Sequence, residues 1–326
     1  MKPTLKATVA IGCLIAFAGT PALGQSTSSG GAGRPANQTI CDYYTQAVFG
    51  NITAENELTL LTLLVNTVVI GNYSPAANQS VLVPGILSSS GGLAKYFTGA
   101  DKTTNRNNVP TAVNFLDGGG AAPLLNNTPA MDTKSNQYIL ISHLYTGFGA
   151  LLGCSVQASG AAFPTYEGVT SMFEVHKFMR LNKTEMDFFI TQVALAAQSF
   201  GVADSDITVV GGLLNSAFNQ KCLPAAPLVP GAPNELQSIC TDDSCPTAPN
   251  ASCAAYAAAL PGGSSTSGAS TRTAGPSASA SATASVTAGA SGSTPTGTKP
   301  GAAGMLKVGA GAFVPAVAVV LAAMMM

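Results

Sequence analysis

Tryptophan is absent from this sequence, histidine occurs twice, and Asp, Glu, Lys and Arg together make up 9% of the residues, leaving a formal net charge of −1. Soluble domains ordinarily carry about a quarter of charged residues. No run of basic side chains occurs, so the chain lacks the electrostatic footprint of a nucleic-acid-binding protein, and no nucleic acid is expected as a partner. Neither H-x-x-x-H nor H-E-x-x-H is present, which removes the helical zinc-protease arrangement. G-x-S-x-G is also missing, and with it the nucleophile elbow of the α/β hydrolases. Glycoside hydrolysis needs two carboxyl groups flanking one bond. Glu57, Asp117 and Asp132 stand outside evident capping roles and stay open as candidates for such a pair, though they form no motif. Glu174, Asp187, Asp204 and Asp206 read as helix-capping or helix-surface groups. No residue is singled out as catalytic, and enzymatic activity stays undecided.

The two ends read as processing signals rather than fold. Residues 1–24 carry Lys2 and Lys6, the apolar run "ATVAIGCLIAFAG" and the small-residue site Ala22-Leu23-Gly24. That order matches a secretory signal peptide cut after Gly24, and the apolar run is shorter than the ~20 residues of a comfortable membrane span. Residues 260–299 collapse to Ser, Thr, Ala, Gly and Pro. Such a stretch cannot bury apolar area, and its composition suits an O-glycosylated stalk. Residues 300–326 end in "VGAGAFVPAVAVVLAAMMM". Small residues, a polar spacer and a terminal apolar tail form a glycosylphosphatidylinositol (GPI) anchor signal, with attachment between Ser291 and Gly297; a tail-anchored span is the alternative. The fold then lies within residues 37–259, displayed from a membrane or cell wall.

Cysteine usage fits an oxidising compartment. Without Cys13 in the leader, six remain: Cys41, Cys154, Cys222, Cys240, Cys245 and Cys253. An even number implies three disulfides, in any of about 15 pairings. The last three lie close together, as in a stapled terminal segment, without the C-x-x-C spacing of a zinc site. Seven N-x-[ST] sequons, at Asn37, Asn51, Asn72, Asn78, Asn126, Asn182 and Asn250, point to a surface glycoprotein.

Between the ends the periodicity is helical, and the expected class is all-α. Ala54–Asn72 opens after Thr53, a good N-cap, and is apolar on nearly every face, so it should be buried. Asn136–Gly153 is similar and closes on glycine. Ser171–Arg180 opens with the capping box Ser171-x-x-Glu174, and Asn182-x-x-Glu185 opens the next helix. A glycan on Asn182 would compete with that cap. Asp204 is expected to cap a last helix from Ser205 to about Phe218. The β signal is weak: "SVLVPGIL" near Val81 is interrupted by Pro84, and Asn105–Asn108 and Asp117–Pro123 mark long loops.

Both histidines fall on apolar helices, His143 in the first half of Asn136–Gly153 and His176 in Ser171–Arg180. An imidazole buried without partners is costly. It is a core group bonded to backbone, or a ligand. Small residues one and two turns beyond His143, Gly147 and Ala150, leave room for something flat. Met172, Phe173 and Met179 would surround a ligand at His176 with soft apolar atoms. An apolar slot with an imidazole on each side suits haem. On this reading His176 and His143 are the metal ligands, and Met172, Phe173 and Met179 help line the cofactor site.

The run "PTYEGVTSMFEVHKFMRLNKTEMDFF" carries Tyr166, Gly168, Ser171, Met172 and His176 in an order similar to the proximal region of truncated haemoglobins. Thr184 with Phe188, Leu152-Gly153 and "LAKYFTG" (Leu93–Gly99) resemble further landmarks of that family. The resemblance spans about Ala54 to Phe218. It implies a globin-like helical domain, haem as cofactor, a small diatomic ligand, His176 as proximal iron ligand and His143 on the distal side. Where the family commonly carries an aromatic pair with tyrosine in the second helix, this chain has Val65-Asn66-Thr67. The whole arrangement of leader, sequons, stalk and anchor is similar to fungal cell-surface proteins. The alternative to a haem protein is a structural or adhesive anchored glycoprotein without a cofactor.

Overall fold

The computed structural model describes residues 33–229 and 231–262. The expected leader, nearly all of the stalk and the anchor tail lie outside the described residues. The described part is mostly helical, with two short two-stranded antiparallel sheets that an all-α reading leaves out.

Helix α1 (Ile40–Phe49) is capped by Thr39, whose hydroxyl accepts from the Asp42 N–H, and stops on Gly50 at φ 80°. The sequence reading did not anticipate it. Helix α2 (Ala54–Ile70) opens after Thr53 as expected and is buried from Leu61 almost continuously to Val69. It is the central element, packed against α1, the long helix α5 (Asn136–Leu152) and α7 (Lys183–Ser199). A helix surrounded in this way must be apolar all round. Past its end, residues 82–85 carry no regular structure and 86–87 form a turn, where a strand was suspected. The Ile86 and Leu87 N–H groups donate to the Val68 and Val69 carbonyls, at 2.9 and 3.1 Å. That satisfies carbonyls which a helix terminus otherwise leaves unpaired. Gly71 and Gly85 make the crossing possible: both have positive φ, and a Cβ on Gly85 would lie 2.4 Å from the Gly71 nitrogen.

A 3₁₀ turn at Ser89–Gly91 and the short helix α3 (Ala94–Thr98) lead to a hairpin, β1 (Thr104–Arg106) with β2 (Val109–Thr111). This replaces the loop expected at Asn105–Asn108. Its two-residue turn is Asn107-Asn108, at φ 54° and 65°, the left-handed region that asparagine enters more readily than most residues. Helix α4 (Ala121–Leu125) follows the glycine run. A Cβ on Gly118 would meet Ser135 Oγ at 2.5 Å, so that glycine lets the loop lie against the start of α5.

α5 is capped by Ser135 and closes on Gly153 at φ 75°. α6 covers only Met172–His176, not the expected span to Arg180. Arg180 takes φ 51° and Leu181 pairs with Cys240, so the chain must turn before Asn182 can cap α7. There the capping box is complete. Helix α8 (Asp204–Phe218) begins at Asp204 itself. Asp204 is a first-turn acid, not the cap. Asp206 is not a surface group: it is buried and accepts bonds from Arg34 and from the Tyr44 hydroxyl on α1.

Residues 219–259 form a strap: the pair β3 (Ala226–Pro227) and β4 (Asn234–Glu235), then helix α9 (Cys253–Ala258). The disulfides are Cys41–Cys154, Cys222–Cys253 and Cys240–Cys245. The first ties α1 to the residue after the α5 terminus; the others staple the strap. Among the described residues no helix is long and apolar enough to cross a membrane.

Candidate functional site

His176 occupies the last position of α6 and is 1% exposed. Ser171 caps the helix, its hydroxyl accepting from the Glu174 N–H. One turn of helix carries the imidazole back over the Met172 carbonyl, to which Nδ1–H donates at 2.8 Å. That bond fixes the tautomer with the proton on Nδ1. Nε2, the lone-pair nitrogen, is buried and has no partner. Burial pulls the histidine pKa down to about 4, against the upward effect of the Met172 carbonyl bond. The ring is therefore neutral at physiological pH, the state in which imidazole binds metal.

His143 sits in the first half of α5, half-buried, and its Nδ1 is also buried without a partner. Burial lowers its pKa, opposed by the charge of Glu167. Its ring meets Tyr166 edge-on, with centroids 5.8 Å apart. Tyr166 in turn lies against Gly168, where a Cβ would fall 2.1 Å from the tyrosine hydroxyl, and that hydroxyl donates to the Val169 carbonyl. So the Tyr166-x-Gly168 pair in the sequence is a packing unit that carries the approach to α6 past His143. The two imidazoles do not hydrogen-bond one another.

The remaining expected site residues divide. Met172 and Met179 belong to the main core, whereas Phe173 turns to the strap, edge-on to Tyr256 at 4.7 Å. An apolar cavity of about 40 Å³ lies elsewhere, between α1, α2, α5, α7 and α8, against Leu64, Phe148, Val193, Gly211 and Leu214. Neither histidine lines it. His176 has the donor state of an iron ligand, one nitrogen fixed by backbone and the other without a partner, but Met172, Phe173 and Met179 around it are 0%, 3% and 5% exposed, so the packing at Nε2 would have to open to admit a porphyrin. His143 offers a second neutral imidazole nitrogen without a partner.

The acids left open by the sequence find structural roles. Asp117 accepts from the Asn136 and Gln137 N–H groups and from the Asn136 side chain at the start of α5. Burial works against its charge, but these bonds prevail and lower its pKa. Asp132 accepts from the Lys134 and Ser135 N–H groups. Glu57 is 0% exposed and sits beside the Cys41–Cys154 disulfide, all three side chains within 4.8 Å. The two sulfurs are bonded to each other, so the group offers no metal more than one carboxylate. Burial, together with a hydrogen bond to Asp42, raises the Glu57 pKa to about 7.

What the sequence reading missed is the set of strap residues against α6: Leu236, Gln237 and Tyr256. They lie 65 or more residues beyond Ser171, and nothing local in the sequence marks them. Compared with protein-family models, curated proteins and solved structures, the chain matches none.

Proposed function

We propose that this is an extracellular haem-binding helical protein displayed on a cell surface. The observation that carries the reading is the state of His176: its Nδ1–H is committed to the Met172 carbonyl, and its Nε2 is buried, unprotonated and without a partner. A core histidine would be expected to use both nitrogens, because an unpaired buried polar atom costs about 1–3 kcal/mol. His176 would hold the iron through Nε2. His143, neutral and with a free Nδ1, would take the opposite side, as a sixth ligand or as a hydrogen-bonding partner for a bound diatomic molecule. Met172 and Met179 would contribute apolar surface. Haem, when bound, would supply reversible small-ligand binding or one-electron chemistry. The three disulfides favour an oxidising, extracellular setting, and the sequons and terminal signals favour a glycosylated, GPI-anchored protein on an outer membrane leaflet or cell wall.

The test is a haem titration of the purified protein. A Soret band that saturates at one haem per chain, and is lost in His176→Ala, is the expected result. The second reading, a structural or adhesive glycoprotein without cofactor, draws on the close burial of His176, which leaves 1% of the residue exposed. A wild-type spectrum no different from free haem would establish that reading instead.

A further inference from the structure

A carboxyl group is almost never fully buried unless it is paired, yet Glu57 is 0% exposed and the charged group that faces it is another acid, Asp42 on α1. The end of α5 faces it with Cys154 and with the backbone of Ser155 and Val156. The Val156 N–H donates to Glu57 Oε1 at 3.3 Å, and the Ser155 N–H donates to Asp42 at 3.0 Å. Glu57 Oε2 is buried and receives no donor. An oxygen so placed is satisfied when it carries the proton itself. That agrees with the rise of the Glu57 pKa to about 7 through burial and Asp42.

The other neighbour of this acid is sulfur. A carboxylate oxygen of Glu57 and the two sulfurs of Cys41–Cys154 lie within 4.8 Å of one another, a reach that proton transfer covers directly or through one water. Among the described residues, neither of the other two disulfides has a His, Asp or Glu group at that range of both its sulfurs. The two sulfurs beside Glu57 differ in access. Cys41 is 0% exposed, with the buried Thr45 hydroxyl 4.0 Å from its Sγ. Cys154 is 8% exposed and is followed by the exposed Ser155.

We propose that Cys41–Cys154 is a thiol–disulfide exchange site for small thiols and their disulfides, with Glu57 as the acid and base that serves the buried sulfur. In the reducing direction a thiolate attacks Cys154 Sγ, the sulfur that solvent reaches. A bond forms between those two sulfurs and the Cys41–Cys154 bond breaks. Its electron pair passes to Cys41 Sγ, which takes the proton of Glu57. A second thiolate then attacks the first small thiol's sulfur and releases Cys154 as thiolate. Cys154 and Glu57 regain protons from water, so two small thiols have become one small disulfide and the protein holds a dithiol. In the oxidising direction the Glu57 carboxylate takes the Cys41 proton as that sulfur closes on a mixed disulfide at Cys154. A cysteine thiol titrates at about 8.5, and higher in apolar surroundings, so a carboxyl near 7 passes its proton downhill to a departing thiolate.

The test adds excess dithiothreitol to the full chain under native conditions. Differential alkylation and peptide mass spectrometry follow each disulfide separately, with Cys240–Cys245 as internal control. For the wild type, the rate at Cys41–Cys154 per unit of thiolate should fall as pH rises through about 7, where Glu57 loses its proton. Glu57→Gln keeps the shape and removes the proton. It should slow this bond about 100-fold at about pH 6, abolish the bend near 7, and leave Cys240–Cys245 unchanged. Should that variant fold poorly, the wild-type pH profile still decides: a bend at Cys41–Cys154 and none at Cys240–Cys245 is the expected result. Glutathione disulfide should load Cys154 in Cys41→Ser and leave Cys41 untouched in Cys154→Ser. Reduction of Cys41–Cys154 only at the rate of global unfolding, or a rate indifferent to pH near 7 and to Glu57→Gln, would overturn the proposal. Glutathione on Cys41 instead of Cys154 would overturn it as well.

Discussion

His176 and Glu57 are both removed from solvent, and they link stability to pH with opposite signs. The pKa of His176 falls from 6.5 to about 4 on folding, because burial disfavours the imidazolium. Between those values the unfolded chain binds a proton that the folded chain refuses, so stability drops as pH falls through that window. The shift corresponds to about 3 kcal/mol at most. Glu57 behaves the other way: burial and Asp42 raise its pKa from 4.5 to about 7, so the folded chain holds a proton that the unfolded chain has released. Its contribution is present in acid and is lost as pH rises toward 7. Glu57 is 0% exposed, and its shift is similar in size to that of His176, so the two contributions largely offset one another. Urea titrations from pH 4 to pH 7 on the cofactor-free protein should therefore show little net contribution from this pair. Glu57→Gln should expose a rise in stability with pH. His176→Phe should expose a fall, giving a protein most stable at the acid end. A slope unchanged by either substitution would show that these groups do not titrate as their surroundings require.

At the scale of single elements, the helix ends are where sequence and structure agree most closely, because caps are local chemistry. Thr53, Ser171, Asn182 and Gly153 sit where their side chains or backbone freedom are needed, and Ser135 adds a cap to α5 that the sequence reading did not name. Asn182→Ala, which breaks the capping box of α7, should cost about 1 kcal/mol in chemical denaturation. What could not be read was set by partners distant in sequence. α6 stops early because Leu181 pairs with Cys240, and the strap finds His176 across 60 residues and more. The Asn107-Asn108 hairpin was legible in principle from two adjacent residues that tolerate positive φ, but its strands are three residues long and lack apolar alternation. Glycines show the same split. Gly85 has φ 82° and backbone 2.4 Å from where a Cβ would go, whereas Gly212, in the middle of α8, has nothing within 4 Å. Gly85→Ala should destabilise by about 3 kcal/mol or more, since strain and overpacking combine. Gly212→Ala should stabilise by about 0.5–1 kcal/mol through helix propensity alone. The two look alike in the sequence, and thermal denaturation of the pair separates a glycine required by geometry from one that is not.

For the molecule as a whole, the questions are which sequons are open to modification and which cross-links hold the fold. Asn37, Asn51, Asn78, Asn126 and Asn250 are exposed. Asn182 spends its side-chain oxygen on the α7 cap, and Asn72 uses both ends of its amide on the Val81 carbonyl and the Val83 N–H. Glycopeptide mass spectrometry of the protein expressed through a secretory pathway should find sugar on the first five and none on Asn72, whose amide is bonded at both ends. The disulfides differ in reach. Cys41–Cys154 closes a loop of 113 residues and joins α1 to the end of α5, whereas Cys240–Cys245 spans a separation of 5 within the strap. A cross-link stabilises chiefly by restricting the unfolded chain, by an amount that grows with the logarithm of loop length: roughly 5 kcal/mol for the long loop and roughly 2 kcal/mol for the short one. Replacing Cys41 and Cys154 together by alanine should also leave a gap beside Glu57, adding the loss of packed atoms to the loss of the cross-link. The Cys240→Ala/Cys245→Ala pair should shift the urea midpoint by less than half as much. If the short staple proves equally costly, its role is to hold the strap in its native path, and the unfolded-chain account of the long one must be given up with it.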